Sequence, residues 1–329
     1  MPRYLNLDGT VPDKGLGAVL KWQIVDRLAG KRRRDPPGYA TPRRENDGTA
    51  LLAPTPHLTW IGHATFVLRL GGSLIATDPV FAPRMGPRRR LTPPGVAPER
   101  LPPIDVVTVS HSHYDHMDVP SLRGLAARGN PLFVVPKDNA EILRAAGIER
   151  VVELGWWEST EAGGVRVTCV PAQHWSMRVP WDRNARLWGG FVYESRDGVA
   201  YHAGDTAMSE AVFRAIGDRC PRIDWAMLPI GAYDPPWFMS PQHMGPEEAG
   251  RAWELLRARV LVAMHWGTFP LTDEPVSEPP ARMRAWFGQH GSSGASADGR
   301  PDERADESPD ESPDERLWVL DVGETRPLR

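Results

Sequence analysis

A mixed α/β fold, with β-sheets covered by helices on the outside, is what this sequence predicts, and three observations carry the expectation. From Leu58 onward, short runs rich in β-branched and aromatic residues follow one another. The first runs are separated only by Gly-His and Gly-Gly, so they pair locally, whereas later ones alternate with helical windows. Hydrophobic residues make up 41% and charged residues 25% of the 329, the balance of a chain with one large core or two small ones. With 31 Gly and 34 Pro, about a fifth of the chain, the elements are joined by many turns.

Residues 15–30 (GLGAVLKWQIVDRLAG) place Leu16, Val19, Leu20, Trp22, Val25 and Leu28 near helical spacing, and KRRR follows at 31–34. Two readings stand: a helix packed on the body with a solvated basic end, or an interfacial helix whose basic cluster meets anionic lipid headgroups. Residues 35–56 are turn-rich and read as a connection. LTWIG, ATFVLRL and SLIATDP (58–79) are expected strands. IDVVTVSHSH (104–113) is a buried-strand pattern ending in histidines, and PLFVVP (131–136) and VRVTCVP (165–171) are two more such runs. FVYES and VAYHAGD (191–205) read as a hairpin around Arg196-Asp197-Gly198, and IDWAMLPIG (223–231) and RVLVAMHWG (259–267) complete the body. Helical windows fall at about 119–128, 137–147, 208–217, 245–258 and 279–287. Residues 288–316 offer almost nothing apolar and read as a disordered acidic insertion, before LWVLDVGET (317–325) supplies a last strand. The expected organisation is an N-terminal helix and connecting segment over 1–56 and one domain over 57–325.

No stretch reaches the ~18 uninterrupted apolar residues of a membrane-crossing helix, and the opening MPRYLNLDGTVPDKG does not read as a secretory signal. Cys169 and Cys220 are the only cysteines, too few for a disulfide framework. A cytoplasmic location is therefore expected, peripheral to the inner membrane face if the N-terminal helix meets lipid. The net charge is −3, and residues 301–316 hold eight acidic and two basic residues, which leaves +3 for the rest. A body so weakly basic lacks the electrostatic footprint of a nucleic-acid binder. The acidic insertion reads first as a tolerated solvated one and second as an acidic docking or regulatory loop, and nothing in the sequence speaks to oligomeric state.

The densest chemical signal is His111-Ser112-His113-Tyr114-Asp115-His116, directly after VVTVS. Three imidazoles and a carboxylate in six residues, aimed by the turn after a strand, suit borderline-soft divalent metals such as Zn²⁺. His174 follows VRVTCVPAQ, Asp205 follows VAYHAG and His265 follows VLVAM. Each is weak alone, and the repeated strand-end setting is what joins them to the set. Seven ligand-type residues, five His and two Asp, suit two metals sharing a carboxylate and a hydroxide.

The motifs HSHYDH, PAQHWS (171–176), HAGDT (202–206) and HWGTF (265–269) resemble those of the metallo-β-lactamase superfamily. Within it, TWIGHATFVL (59–68), IATDPVF (75–81), QHMGPEEA (242–249) and the terminal GET resemble the branch of the N-acylphosphatidylethanolamine-hydrolysing phospholipase D. The ascorbate-6-phosphate lactonase is a more distant likeness. The resemblance spans about residues 58–325 and implies a four-layer αββα sandwich. It also implies two divalent ions, Zn²⁺ in first place, with Mn²⁺ or Fe²⁺ accepting the same donors. His111, His113 and His174 would bind one ion, Asp115, His116 and His265 the second, and Asp205 would bridge them. Asp78 matches the acidic residue that orients metal-bound histidines.

On that implication a water between the ions is the nucleophile, and a phosphoryl or carbonyl oxygen is polarised on one of them. Asp115, His63 and His243 are the candidate catalytic residues. Each of the two spare histidines keeps two readings. His63 is a rim group or a hydrogen-bond partner of a ligand; His243 is a rim group or a contact near the start of the helix at 245. Most of the 13 tryptophans are expected in the core. Trp175, Trp181, Trp237 and Trp266 are candidates for the wall of an apolar pocket, with Trp175 and Trp237 the leading substrate-binding pair. MGPRRR (85–90) reads as a solvated loop or as a patch for a phosphate or headgroup. The expected function is a binuclear metal-dependent phosphodiesterase acting on a phospholipid. A lactonase or other small-metabolite hydrolase would use the same ligands. A di-iron redox protein on this fold carries Glu where this chain has His113 and needs a flavin partner, and a non-catalytic metal-bound scaffold has no need of a full ligand set.

Overall fold

The computed structural model describes residues 4–12, 14–290 and 313–329. The helix expected over 15–30 forms as α1 (Leu16–Leu20), prolonged by a π-helical stretch over Lys21–Asp26. Its inward side is not the aliphatic one. Trp22 turns in, donating from Nε1 to Asp273 Oδ2 at 2.7 Å and lying 4.7 Å from the Phe238 ring. Asp26 is buried between Lys21 and Lys31. Leu20, Val25 and Leu28, which the periodicity assigns to one packed face, are 47%, 58% and 85% exposed. An i→i+5 turn rotates the residues after it off the 3.6 period on which that assignment rests.

Alternation builds the first sheet. Along β1 (His57–Gly62), β2 (Thr65–Leu70) and β3 (Ser73–Thr77), successive side chains point to opposite faces. Phe66, Leu68, Leu70 and Ile75 enter the large core, and Val67, Leu74 and Ala76 enter a second one. Because both faces are covered, these strands read as nearly continuous apolar runs. The hairpin β4 (Arg84–Met85) and β5 (Arg88–Arg89) follows, then β6 (Val106–Thr108). α2 (Val119–Gly129) starts where the Asp118 carboxylate accepts from Ser121 N and ends where Asn130 turns left-handed. β7 (Leu132–Pro136), α3 (Ala140–Ala145) and β8 (Val151–Leu154) complete this half. Leu122, Leu125 and Leu143 cover the outer face through the second core.

The second half runs β9 (Ser159–Ala162), β10 (Val165–Val170), β11 (Gly190–Ser195) and β12 (Gly198–His202), with Ser195 opposite Gly198 in the expected hairpin. Then come α4 (Glu210–Arg219), β13 (Trp225–Pro229), α5 (Pro236–Met239), α6 (Pro246–Leu256), β14 (Val260–Met264) and α7 (Glu278–His290). After them, α8 (Pro313–Arg316), β15 (Leu317–Trp318) and β16 (Thr325–Pro327) close the chain. One seven-stranded sheet has the order β16-β1-β2-β3-β6-β7-β8 and the other β15-β14-β13-β12-β11-β10-β9. The sheets share the large core, to which α4, α6 and α7 add Phe213, Trp253 and Phe287. The result is the four-layer αββα sandwich. A buried hydrogen bond of 2.6 Å between Thr108 Oγ1 and Tyr193 Oη ties one sheet to the other.

Four expectations change. β8 and β9 escape a hydrophobic-pattern reading because they are half-exposed or polar, as VVEL and STEA. The expected last strand over 317–325 splits: Leu317–Trp318 pairs with β14, whereas Thr325–Pro327 pairs with β1 in the opposite sheet. The break lies at Gly323, whose φ of 94° and close approach to Arg44 O exclude a Cβ. Of the insertion expected over 288–316, residues 288–290 belong to α7 and 313–316 form α8, while 291–312 lie outside the described residues. The MGPRRR segment is a hairpin, and Arg90 is not solvated. Its guanidinium donates to Val80 O and Thr92 O at 2.9 Å each and lies over the Phe269 ring.

Two glycines in helices separate intrinsic propensity from packing. A Cβ at Gly250 in α6 would meet the Trp286 ring at 2.5 Å, whereas one at Gly124 in α2 meets nothing within 4 Å. Gly250→Ala is expected to lower stability by ~1–3 kcal/mol despite the gain in helix propensity. Gly124→Ala should raise it by about 0.4–1 kcal/mol. Urea unfolding of both variants checks the pair, and a stabilised Gly250→Ala contradicts the packing of α6 on α7.

Candidate metal centre

Strand ends bring the site together. His63 lies in the β1–β2 turn, Asp78 follows β3, the 111–116 segment follows β6, and His174, Asp205 and His265 follow β10, β12 and β14. His63, Asp78 and His265 adopt left-handed backbone conformations, with φ of 57°, 37° and 62°. Such conformations are uncommon without glycine and cluster at functional sites. They are held in place here. His265 N donates to His63 O at 3.1 Å, and His63 N donates to Thr268 Oγ1 at 2.6 Å.

The donor atoms fall into two groups on either side of Asp205. In the first, His113 Nδ1 lies 2.9 Å from His111 Nε2 and 3.2 Å from His174 Nε2, and Asp205 Oδ2 lies 3.9 Å from each of the latter two. In the second, Asp115 Oδ2 lies 3.8 Å from His116 Nε2 and from His265 Nε2. Asp205 closes that group, with Oδ2 3.2 Å from His116 Nε2 and Oδ1 3.0 Å from His265 Nε2. Ligands at 2.0–2.2 Å around a tetrahedral ion stand about 3.3 Å apart, so both groups have the spacing of a coordination shell. His116 Nε2, His265 Nε2 and Asp205 Oδ1 are buried and, among the described residues, have no hydrogen-bond partner of good geometry.

Outer partners aim these atoms. Asp78 Oδ2 accepts from His116 Nδ1 and from Ser110 Oγ at 2.6 Å each, and its Oδ1 accepts from Ser110 N. His174 Nδ1 donates to Gln242 O at 2.8 Å. With Nδ1 spent as the donor in each case, Nε2 of His116 and of His174 is the atom free to ligate. Sequence reading finds Asp78 but misses Ser110, which also lies 2.9 Å from His111 Nδ1, and Gln242, which acts through its backbone. It misses Asn6 as well, whose Oδ1 accepts from His174 N and from Trp188 Nε1 at 3.0 Å. A lone polar residue far away in sequence carries no local signal of such a role. Arg178 is the fourth, its Nη1 donating to Ser112 O and Met117 O at 2.9 Å across the ligand loop.

Electrostatics suit a cation. Burial lowers the pKa of His113 to about 4, of His243 to about 4 and, with His265 adding to it, of His63 to about 3. His111 and His174 are pushed well down for the same reason. Burial opposes charge on His265 as well, but Asp205 and Asp115 outweigh it and raise its pKa to about 9; His116 moves in the same direction. Burial likewise works against Asp115 and Asp205, yet the histidines around them keep both carboxyls well below the ordinary range. Five imidazoles are thus neutral around ionised carboxylates, the state that metal binding requires, while His116 and His265 hold protons that a bound cation would displace.

The remaining candidates are placed as follows. His243 Nδ1 is 3.8 Å from Asp205 Oδ2, inside the cluster. His63 Nε2 is 3.2 Å from Asp115 Oδ2 and its side chain is 2% exposed, so it faces Asp115 and not the rim. The Trp175 ring meets His113 edge-on at 4.7 Å and carries the Arg183 guanidinium on its face. Trp237 is 45% exposed on α5. Trp181 is almost fully exposed, and Trp266 is buried and stacked 5.2 Å from Trp60.

Comparison with known proteins agrees with this geometry. The β-lactamase superfamily domain matches residues 74–266. An uncharacterized protein of Mycobacterium tuberculosis is 35% identical over 277 residues, covering 81% of this chain and 72% of that one. The N-acyl-phosphatidylethanolamine-hydrolyzing phospholipase D 1 of Caenorhabditis elegans is 37% identical over 243 residues, covering 69% of this chain and 68% of that one. Among solved structures, a metallo hydrolase of the archaeon Ignicoccus hospitalis superposes with a TM-score of 0.60 at 23% identity, over 83% of this chain and 97% of that one. That last likeness is one of fold.

Two outcomes follow from the network. Asp78→Ala leaves His116 Nδ1 without its acceptor and is expected to weaken Zn²⁺ binding ~10–100-fold, read by competition with a chromophoric chelator. Unchanged affinity contradicts the orienting role. In the metal-free chain, His63 and His243 have folded pKa values of about 3 and about 4 against an ordinary 6.5. As pH falls, the unfolded chain takes up these protons first. The stability that depends on neutral His63 and His243 is therefore complete above about pH 6.5 and is lost from there toward pH ~4, by at most ~1.4 kcal/mol per pH unit for each histidine. Urea midpoints of the chelated protein across this range check the slope, which His63→Asn should flatten.

Proposed function

The chain belongs to the metallo-β-lactamase superfamily, and on that premise we propose that it is a binuclear phosphodiesterase cleaving a phospholipid of the N-acyl phosphatidylethanolamine type. It is a metal-dependent hydrolase of this fold. The observation that carries the binuclear reading is the division of the donor atoms into two groups flanking Asp205. The lipid reading is supported by the 37% identity to the nematode enzyme named for that substrate.

His111, His113 and His174 would hold one ion and Asp115, His116 and His265 the other, with Asp205 between them and Zn²⁺ the ion best suited to the donors. Bound dications supply Lewis acidity: they polarise a phosphoryl oxygen, acidify a water and hold the charge that develops in the transition state. The chain's own residues set the geometry. Asp78, Ser110 and Gln242 keep the imidazoles aimed. His63 positions Asp115, because its Nε2 is already committed there. His243 is kept neutral by burial. A neutral imidazole hydrogen-bonds a substrate oxygen, but it is a poor choice as the acid that protonates a leaving alkoxide near pH 7. Trp175, edge-on to His113, and Trp237, half exposed on α5, are the apolar surfaces for the substrate.

The metal-loaded chain is expected to cleave bis(p-nitrophenyl) phosphate and a fluorogenic N-acyl phosphatidylethanolamine. Chelation should abolish both activities and Zn²⁺ restore them. Asp205→Asn should empty at least one ion position and reduce turnover by at least about 100-fold. A fully metallated, active Asp205→Asn variant overturns the ligand assignment. Cleavage of lactones with neither diester touched moves the chain to the lactonase reading.

A further inference from the structure

The N-terminal helix presents its apolar residues outward. Leu20, Ile24 and Leu28 recur every fourth residue, Val25 lies beside them, and all four are exposed while Trp22 and Asp26 turn inward. Among the described residues nothing covers that aliphatic stripe. Residues 15–34 hold six basic residues and one acidic residue, and the acidic one, Asp26, is buried.

Beside the stripe, three guanidinium groups share one carboxylate, that of Asp273, among the described residues. Arg27 Nε and Nη2 are buried and have no hydrogen-bond partner among the described residues. Arg32 contributes one Nη2 contact of 3.5 Å to Pro270 O. Arg88, on β5, is held below its ordinary pKa by burial and by the nearby Arg27 and Arg32. The Asp273 carboxylate is engaged by Trp22 Nε1. Three guanidinium groups against one carboxylate leave positive charge that an oxyanion at the surface would offset.

A third feature borders the helix. Lys21 Nζ lies 3.8 Å above the ring of half-exposed Trp237, an aromatic–cation pair of the kind that sits at headgroup level. From α5 the chain runs directly to Gln242 and His243, so this face adjoins the metal centre.

We propose that α1 with its π-helical extension and the β4–β5 hairpin form a docking surface for an anionic phospholipid membrane. Leu20, Ile24, Val25 and Leu28 enter the boundary between headgroups and acyl chains, and Arg27, Arg32 and Arg88 receive lipid phosphates. Aliphatic residues outward, an amphipathic aromatic at the edge and cations in excess of their one carboxylate are together the chemistry of an interfacial helix, and a protein partner would need none of the phosphate sites. The inference goes beyond the proposed reaction, since docking requires no hydrolysis.

Flotation of the full-length, metal-loaded chain with vesicles tests it. Binding is expected to vesicles of phosphatidylcholine with about 30% phosphatidylglycerol and not to pure phosphatidylcholine, and to weaken in ~0.5 M salt. Ile24→Ser with Leu28→Ser, and separately Arg27→Gln with Arg88→Gln, should each reduce the bound fraction by about tenfold or more. Unchanged thermal unfolding and metal content confirm that the variants fold. Bis(p-nitrophenyl) phosphate cleavage, which needs no membrane, is read in parallel. Flotation without diester cleavage supports the docking surface while removing the phosphodiesterase. Diester cleavage by a chain that never floats on anionic vesicles overturns the docking surface alone. So does wild-type flotation by either double variant. A concentration-dependent dimer dissolved by Ile24→Ser/Leu28→Ser, with no flotation, overturns it in favour of a second copy of this chain.

Discussion

Two ionised carboxylates, Asp115 and Asp205, sit among seven imidazoles in a place largely closed to water, and the rest of the site is arranged around keeping them there. Buried charge is tolerated only when opposite charge or aligned donors surround it. Without metal, His116 and His265 take on that task, which is why these two histidines are pushed toward the protonated form while their neighbours are pushed away from it. Cations of higher charge would take over the same role and release those protons. The sandwich serves this requirement: each sheet delivers donors from strand ends, and neither half holds a complete donor set alone.

Rigidity follows from the same requirement. A coordination shell tolerates little drift, and the structure limits it in two layers. Asp78, Ser110 and Gln242 lock imidazole orientation, and the left-handed turns at His63, Asp78 and His265 are fixed by cross-bonds between loops of different strands. Residues outside the sandwich contribute as well. Asn6 reaches the backbone of His174, and Thr41 Oγ1 donates to Gly267 O beside His265.

Much of this was legible in the sequence because it is local. Apolar runs of strand length ending in His or Asp mark the sheets and the donors at once, and HSHYDH concentrates four of the donors in six residues. What stayed hidden is non-local or works against composition. Gln242 acts through a carbonyl, and Ser110 and Asn6 act through partners remote in sequence or in no motif. β9 is a strand made of STEA, and the last segment serves both sheets because Gly323 permits a break. The N-terminal helix is the instructive case, because its spacing left a packed helix and an interfacial one both open. Spacing alone does not say which way an apolar face points; the π-helical stretch and the Trp22–Asp273 bond leave Leu20, Ile24, Val25 and Leu28 outward.

Anomalous diffraction at the zinc edge from crystals of the metal-loaded chain tests the central claim most directly. Two peaks are predicted about 3.5–4 Å apart, one among His111, His113 and His174 and the other among Asp115, His116 and His265, with the Asp205 carboxylate between them. A single peak, or density away from these residues, contradicts a binuclear centre built on Asp205.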